Sequence, residues 1–131
     1  MTPNIFPALR CRDAHASIDF LVHAFGFEKQ AVFESPDGGV AHAQLRFGAS
    51  VLGLNSASST PPESPWAAVR QGIYVCVPEV DAHHDRASAA GATIAAALAD
   101  QSYGSRDYAV RDPEGHLWTF GDYDPWAEHA A

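Results

Sequence analysis

The run from Val40 to Phe47 alternates in polarity, so an extended chain puts His42, Gln44 and Arg46 on one face and Ala41, Ala43, Leu45 and Phe47 on the other. An imidazole, an amide and a guanidinium at two-residue spacing can orient the polar groups of a small molecule, and an imidazole can also pass a proton. His42 has a plainer reading as well, a structural histidine held by hydrogen bonds. Tyr103 and Tyr108 bracket a second polar stretch, and Trp66 stands in a proline-rich one. All three rings could stack on a flat ligand, although tyrosines in small sheets often only pack. Trp118 reads as core. Trp126, near Asp122-Tyr123-Asp124, reads as exposed or as cover for a subunit seam.

Other groups carry less chemistry. His15, Asp19 and His23 recur at four-residue steps, a stripe that soluble helices often show on their wet face. His83 and His84 are adjacent, so on a helix they point in different directions and cannot clamp one ion. Cys11 and Cys76 are too few for a disulfide framework or a zinc cage and read as ordinary buried thiols. Alternation sets them on opposite sides of their strands, so no bond between them is expected. No glycine-rich phosphate loop, Gly-x-Ser-x-Gly elbow or His-Glu-x-x-His helix occurs.

The elements that must position these residues repeat. Ile5 to Arg10 is extended, and Asp13 can cap a helix whose apolar stripe is Ala14, Ile18, Leu21, Val22 and Phe25, stopped by Gly26. Strands follow at Glu28–Phe33, Val40–Phe47 and Ser50–Leu54, the first two joined through Ser35-Pro36-Asp37-Gly38-Gly39. Residues 1–55 thus form one strand-helix-three-strand unit, and the Ser- and Pro-rich stretch 56–71 is a linker. Residues 72–131 repeat the order: Ile73–Val77, a helix from about Asp81 to Ala90 stopped by Gly91, Thr93–Ala99, Tyr103–Arg111 and His116–Gly121, then a tail. A shift of about 66 superposes the halves.

The 131 residues, 47% of them apolar and 18% charged, suit one domain or two small modules. Each half alone would bury too little surface to be stable, so the modules are expected to share a sheet or to pair with another chain, and a homodimer is expected. Sixteen acidic against eight basic side chains, a formal charge of -8, repel nucleic acid. No apolar stretch approaches a membrane span. The N-terminal Met1-Thr2-Pro3-Asn4 lacks the pattern of a secretory signal, and the expectation is a cytoplasmic protein. One lysine among many arginines and alanines is an association with GC-rich bacterial genomes.

Two strand-helix-three-strand units, the closing run Asp112-Pro113-Glu114-Gly115-His116-Leu117-Trp118, and Phe25-Gly26-Phe27 after the first helix together resemble the vicinal oxygen chelate superfamily. That superfamily includes glyoxalase I, extradiol dioxygenases, fosfomycin resistance enzymes and bleomycin resistance proteins. The likeness spans almost the whole chain. It implies an α+β fold in which two βαβββ modules form curved, mostly antiparallel sheets around a cup-shaped cavity. In metal-dependent members the ligands come from the first and last strand of each module. The family pattern sets these positions on Phe6, Gly53, Gly72 and Thr119, and they repeat at 66 residues (72 − 6 and 119 − 53). Phenyl and glycine offer no donor and threonine only a weak neutral oxygen.

The resemblance therefore points to the metal-independent, bleomycin-resistance-like branch, with no cofactor and no catalytic residue. The expected function is to bind and sequester a small amphipathic or planar aromatic molecule, such as an antibiotic, in crevices at a homodimer interface. The acidic surface would draw a cationic ligand, although Arg10, Arg46 and Arg106 could make the cup itself locally positive. The expected ligand-binding residues are Phe6, Arg10, His42, Gln44, Arg46, Trp66, Tyr74, Tyr103 and Tyr108, with Ala8 and Cys76 on the same face as Phe6, Arg10 and Tyr74. Two other readings stand beside this one. The chain could be a superfamily lyase, isomerase or dioxygenase with relocated metal ligands or with His42 in acid-base work. It could also be a structural or regulatory domain with a vestigial cup.

Overall fold

The structure, a computed structural model, describes residues 6–59, 63, 70–102 and 104–124. Contacts divide the chain into Met1–Gln71 and Gly72–Ala131. The first unit runs β1 (Ala8–Cys11), α1 (Ala14–Phe20), a π-helical turn (Leu21–Phe25), β2 (Glu28–Glu34), β3 (Val40–Phe47) and β4 (Ser50–Ser56). The second runs β5 (Gly72–Cys76), α2 (Val80–Ala89), β6 (Thr93–Asp100), β7 (Arg106–Arg111) and β8 (Leu117–Gly121). Their sheets have the orders β1-β4-β3-β2 and β5-β8-β7-β6, each with one parallel pair at the edge and two antiparallel pairs. The fold is α+β, two repeated βαβββ units whose sheets stay open.

The first helix starts where an aspartate can satisfy a free amide: the Asp13 carboxylate accepts from the Ala16 N–H at 3.0 Å. Ala14, Ile18, Leu21 and Phe25 are buried, as their spacing predicts. The last turn widens to π geometry and ends at Gly26, whose φ of 87° is left-handed. That widening holds one extra residue. Asp13 and Gly26 are 13 positions apart, whereas the cap Glu79 and the stop Gly91 of α2 are 12 apart.

Strand pairing shows the repeat directly. Ala8 pairs with Gly53 and Tyr74 with Thr119, an offset of 66 for both strands (74 − 8 and 119 − 53). Ala43 pairs with Leu54 and Tyr108 with Phe120, so the inner strands β3 and β7 are offset by 65 (108 − 43). The residue that the first helix gains is recovered in the final hairpin. Gly48-Ala49 joins β3 to β4, while Pro113-Glu114-Gly115 lies inside the Asp112–His116 pairing that joins β7 to β8.

In the first unit the sheet's share of the core is mostly aliphatic, with Leu9, Cys11, Ala43, Leu45, Leu52 and Leu54 buried beside Phe25 and Phe27. In the second it is aromatic. Trp118, Phe120 and Tyr108 are fully buried, with the Trp118 and Phe120 rings parallel at 6.2 Å. α2 buries only Val80 and Ala87, and its two histidines complete the contact. His83 packs on Phe120 at 4.1 Å and His84 meets Tyr108 edge-on at 5.0 Å, so the histidine pair is part of the packing.

Three expectations need correction. Ala41 is exposed and Val40 buried, because a register shift between Phe33 and Glu34 breaks the alternation at the start of β3. Ser56 belongs to β4 and not to a linker: it pairs with Cys11, and its buried hydroxyl accepts from the Val40 N–H at 2.8 Å. Cys11 is buried beside Leu9 as expected, but Cys76 is exposed. Partial burial, with Asp124 and Asp122 nearby, still raises the Cys76 thiol above its ordinary pKa.

Candidate functional site

On the face of the first sheet away from α1, the residues across β1, β4 and β3 are Ala8, Gly53 and Gln44. Two of them have almost no side chain. A Cβ built on Gly53 would meet nothing nearer than the Pro7 carbonyl at 3.6 Å and Ala8 Cβ at 3.7 Å. Small residues flanked by larger ones leave a trough. A groove of about 440 Å³ lies there, lined by Phe6, Pro7, Ala8, Gln30, His42, Gln44, Val51 and Gly53. Its volume suits a small organic molecule.

One wall is polar and ordered by its own hydrogen bonds. Gln30 Nε2 donates to Gln44 Oε1 at 2.8 Å, and Gln44 Nε2 reaches His42 Nε2 at 3.2 Å. An amide nitrogen only donates, so His42 Nε2 is the acceptor and the neutral ring carries its proton on Nδ1. Phe33, 59% exposed, lies nearly parallel to the His42 ring at 6.3 Å. The opposite wall is Phe6, 56% exposed, with Pro7 and Val51.

The structure gathers Phe6, His42 and Gln44 at this groove. Arg46 is exposed two residues beyond Gln44 and registered opposite Glu28, and Arg10 is half-buried on β1 opposite Asn55; neither lines the groove. Trp66 and Tyr103 lie outside the described residues. Tyr108, expected as a stacking surface, has 0% exposure and is a core ring. Its hydroxyl bonds His83 Nδ1 at 2.6 Å, and burial pushes its pKa well up. Pro7, Gln30 and Val51 also line the groove and were not expected there. β2 slips register between Lys29 and Ala31, and that irregularity at Gln30 is invisible to simple alternation.

Tyr74 occupies the second unit's counterpart of Ala8. Its hydroxyl donates to the Tyr123 carbonyl at 2.7 Å, and its ring lies so close to Gly121 that an added Cβ would be 2.9 Å from the hydroxyl. Burial, then the nearby Cys76 thiol, pushes its pKa up to about 12.

The four positions that the family pattern assigns to metal ligands carry no strong donor. Phe6 and Gly53 line the groove, Gly72 faces open space, and Thr119 is half-buried. None supplies an imidazole, carboxylate or thiolate, and the described residues contain no group of three or more His, Cys, Asp or Glu able to hold an ion. These residues do not fit a divalent metal. The helix stripe bonds to backbone carbonyls: His15 Nε2 to that of Gly38, in the turn before β3, at 3.0 Å and His23 Nδ1 to that of Asp19, one turn back, at 2.7 Å. No helix among the described residues is long and apolar enough to cross a membrane.

With this geometry established, the sequence profile of the Glyoxalase/Bleomycin resistance protein/Dioxygenase superfamily matches residues 6–120. The chain belongs to that superfamily. It is 38% identical over 127 residues to the uncharacterized protein Rv0887c of Mycobacterium tuberculosis, covering 91% of this chain and 74% of that one. Among solved structures, TioX from Micromonospora sp. ML1 is 33% identical with a TM-score of 0.75, over 91% of this chain and 97% of that one. A lactoylglutathione lyase from Agrobacterium tumefaciens, 24% identical with a TM-score of 0.67 over 92% of this chain and 93% of that one, shares the fold.

Proposed function

We propose that this chain is a metal-independent binding protein that holds a small amphipathic, planar molecule in the groove of its first unit without breaking a bond. The observation that carries this reading is the groove itself: an apolar trough over Ala8 and Gly53 with one wall of oriented amides, at positions where superfamily enzymes would present ligands to a metal. Sequestration of an antibiotic is the form that the superfamily's bleomycin resistance members suggest. Association into a homodimer would give each small unit further buried surface.

The test is a fluorescence titration with N-phenylnaphthylamine, a neutral amphipathic dye. Saturable binding near one site per chain is expected. Gly53→Leu, which fills the trough without touching the core, should weaken it at least tenfold with the melting temperature little changed. Unaltered binding in that variant would remove the groove from the account. A stoichiometric transition metal in purified protein would overturn the metal-independent part, and sedimentation at the mass of a monomer would overturn the dimer.

A second reading is favoured by His42, whose Nδ1 has no hydrogen-bond partner among the described residues. Acid-base catalysis without a metal would use that ring. Turnover of a bound substrate that His42→Gln abolishes while binding persists would establish it.

A further inference from the structure

Resting on the binding reading, we infer that the groove takes a neutral ligand with an amide edge, a carboxamide or lactam on a planar ring system, and that Gln44 determines this specificity. None of the eight described residues that line the groove is an aspartate, glutamate, lysine or arginine. A charged ligand group set against them would give up part of its hydration with no opposite charge among them to offset it. The wall instead offers neutral donors and acceptors in fixed order.

That order follows from the bonds already made. Gln30 gives one N–H to Gln44 Oε1, and Gln44 gives one N–H to His42 Nε2. Gln44 keeps one N–H and a second lone pair on Oε1, Gln30 keeps its Oε1 and one N–H, and His42 keeps Nδ1–H. An amide edge presents a C=O and an N–H side by side, and the free N–H and lone pair of one side-chain amide match it in reverse. The Gln44 amide keeps both bonds on turning over only if the Gln30 amide and the His42 tautomer reverse with it, and in either sense it leaves one N–H and one lone pair free. A carboxylate would face the lone pair and an ammonium the N–H. A site built to hydrogen-bond one pattern rejects analogues that leave its polar atoms unpaired.

Three isosteric probes separate the possibilities: naphthamide, naphthoate and naphthylmethylammonium, titrated calorimetrically into wild-type protein. Naphthamide is expected to bind about tenfold or more tightly than either ion, the effect of one well-placed hydrogen bond. Gln44→Leu should bring naphthamide down about tenfold. Gln44→Glu keeps the shape but replaces the amide by a carboxylate, and should shift the preference to the ammonium. Thermal melts of both variants verify folding, and the wild-type ranking stands without them.

Equal or tighter binding of either ion by wild type, with saturation intact, overturns the amide inference and leaves the binding reading standing. If naphthoate ranks first and loses its advantage in Arg46→Gln, the exposed guanidinium beside the wall governs selection, and Gln44 does not. If none of the three probes saturates, the binding reading fails along with the inference.

Discussion

The two units share a topology and differ at the bottom of one trough. In the first unit Ala8 and Gly53 leave space; at the same register in the second stand Tyr74 and Thr119. The counterpart of His42 across the inner-strand offset of 65 is Asp107, which is buried and accepts from Gln101 Nε2 at 2.9 Å. A strand at one position thus serves an open polar wall in one copy and internal packing in the other. The shared backbone does not by itself make a site. Side-chain volume at two facing positions decides whether that face binds or packs.

The hairpins that close the two sheets differ in the same sense. The first turns on Gly48-Ala49. In the second, Asp112 is a buried staple: Oδ1 accepts from the N–H groups of Glu114 and His116 at 2.9 and 3.0 Å, and Oδ2 from Trp118 Nε1 at 3.0 Å. The run that carries the family likeness is therefore structural here. Asp112→Ala would leave three buried donors without their acceptor and should cost about 3 kcal/mol or more, read by denaturant unfolding. Loss of less than about 1 kcal/mol would mean that the two hairpins are held alike.

A smaller effect sharpens the contrast between the two faces. Tyr74→Ala should uncover Gly121 and raise the number of N-phenylnaphthylamine sites, at a stability cost of about 1–2 kcal/mol for the lost ring contact and hydrogen bond. An unchanged stoichiometry would show that Tyr74 is not what closes the second face.

The smallest effect is in pH. Tyr74 holds its proton to about 12, above the ordinary tyrosine value of 10.0. A folded-state pKa raised above the unfolded one gives stability that is whole below pH 10 and lost as pH rises from 10 to about 12. Tyr74→Phe should flatten that part of the stability curve, and phenolate absorbance should show one fewer late-titrating tyrosine.

Much of this was legible in the sequence because it obeys short periods. Asp13 and Gly26 bound the first helix, its stripe is buried, and alternation brings His42 and Gln44 to one face. What escaped was set by single-residue irregularities. A shift of 66 applied to every strand aligns Tyr108 with His42, whereas the real inner-strand offset of 65 aligns Asp107 and turns Tyr108 into the core. One residue of slip reverses the face of every side chain in a strand. The irregularities at Gln30 and Ala41 have the same physical origin, since polarity pattern records the period of a strand and not its interruptions.

The π-helical turn at Leu21–Phe25 shows how such a chain absorbs a change in length. A residue inserted in a strand would propagate through every neighbouring pair, but here the surplus coils into a wider loop of backbone and stops at the glycine. Helix ends of this kind let duplicated halves drift apart in length while their ladders stay in step, and they mark where an engineer could lengthen or trim this scaffold with least disturbance.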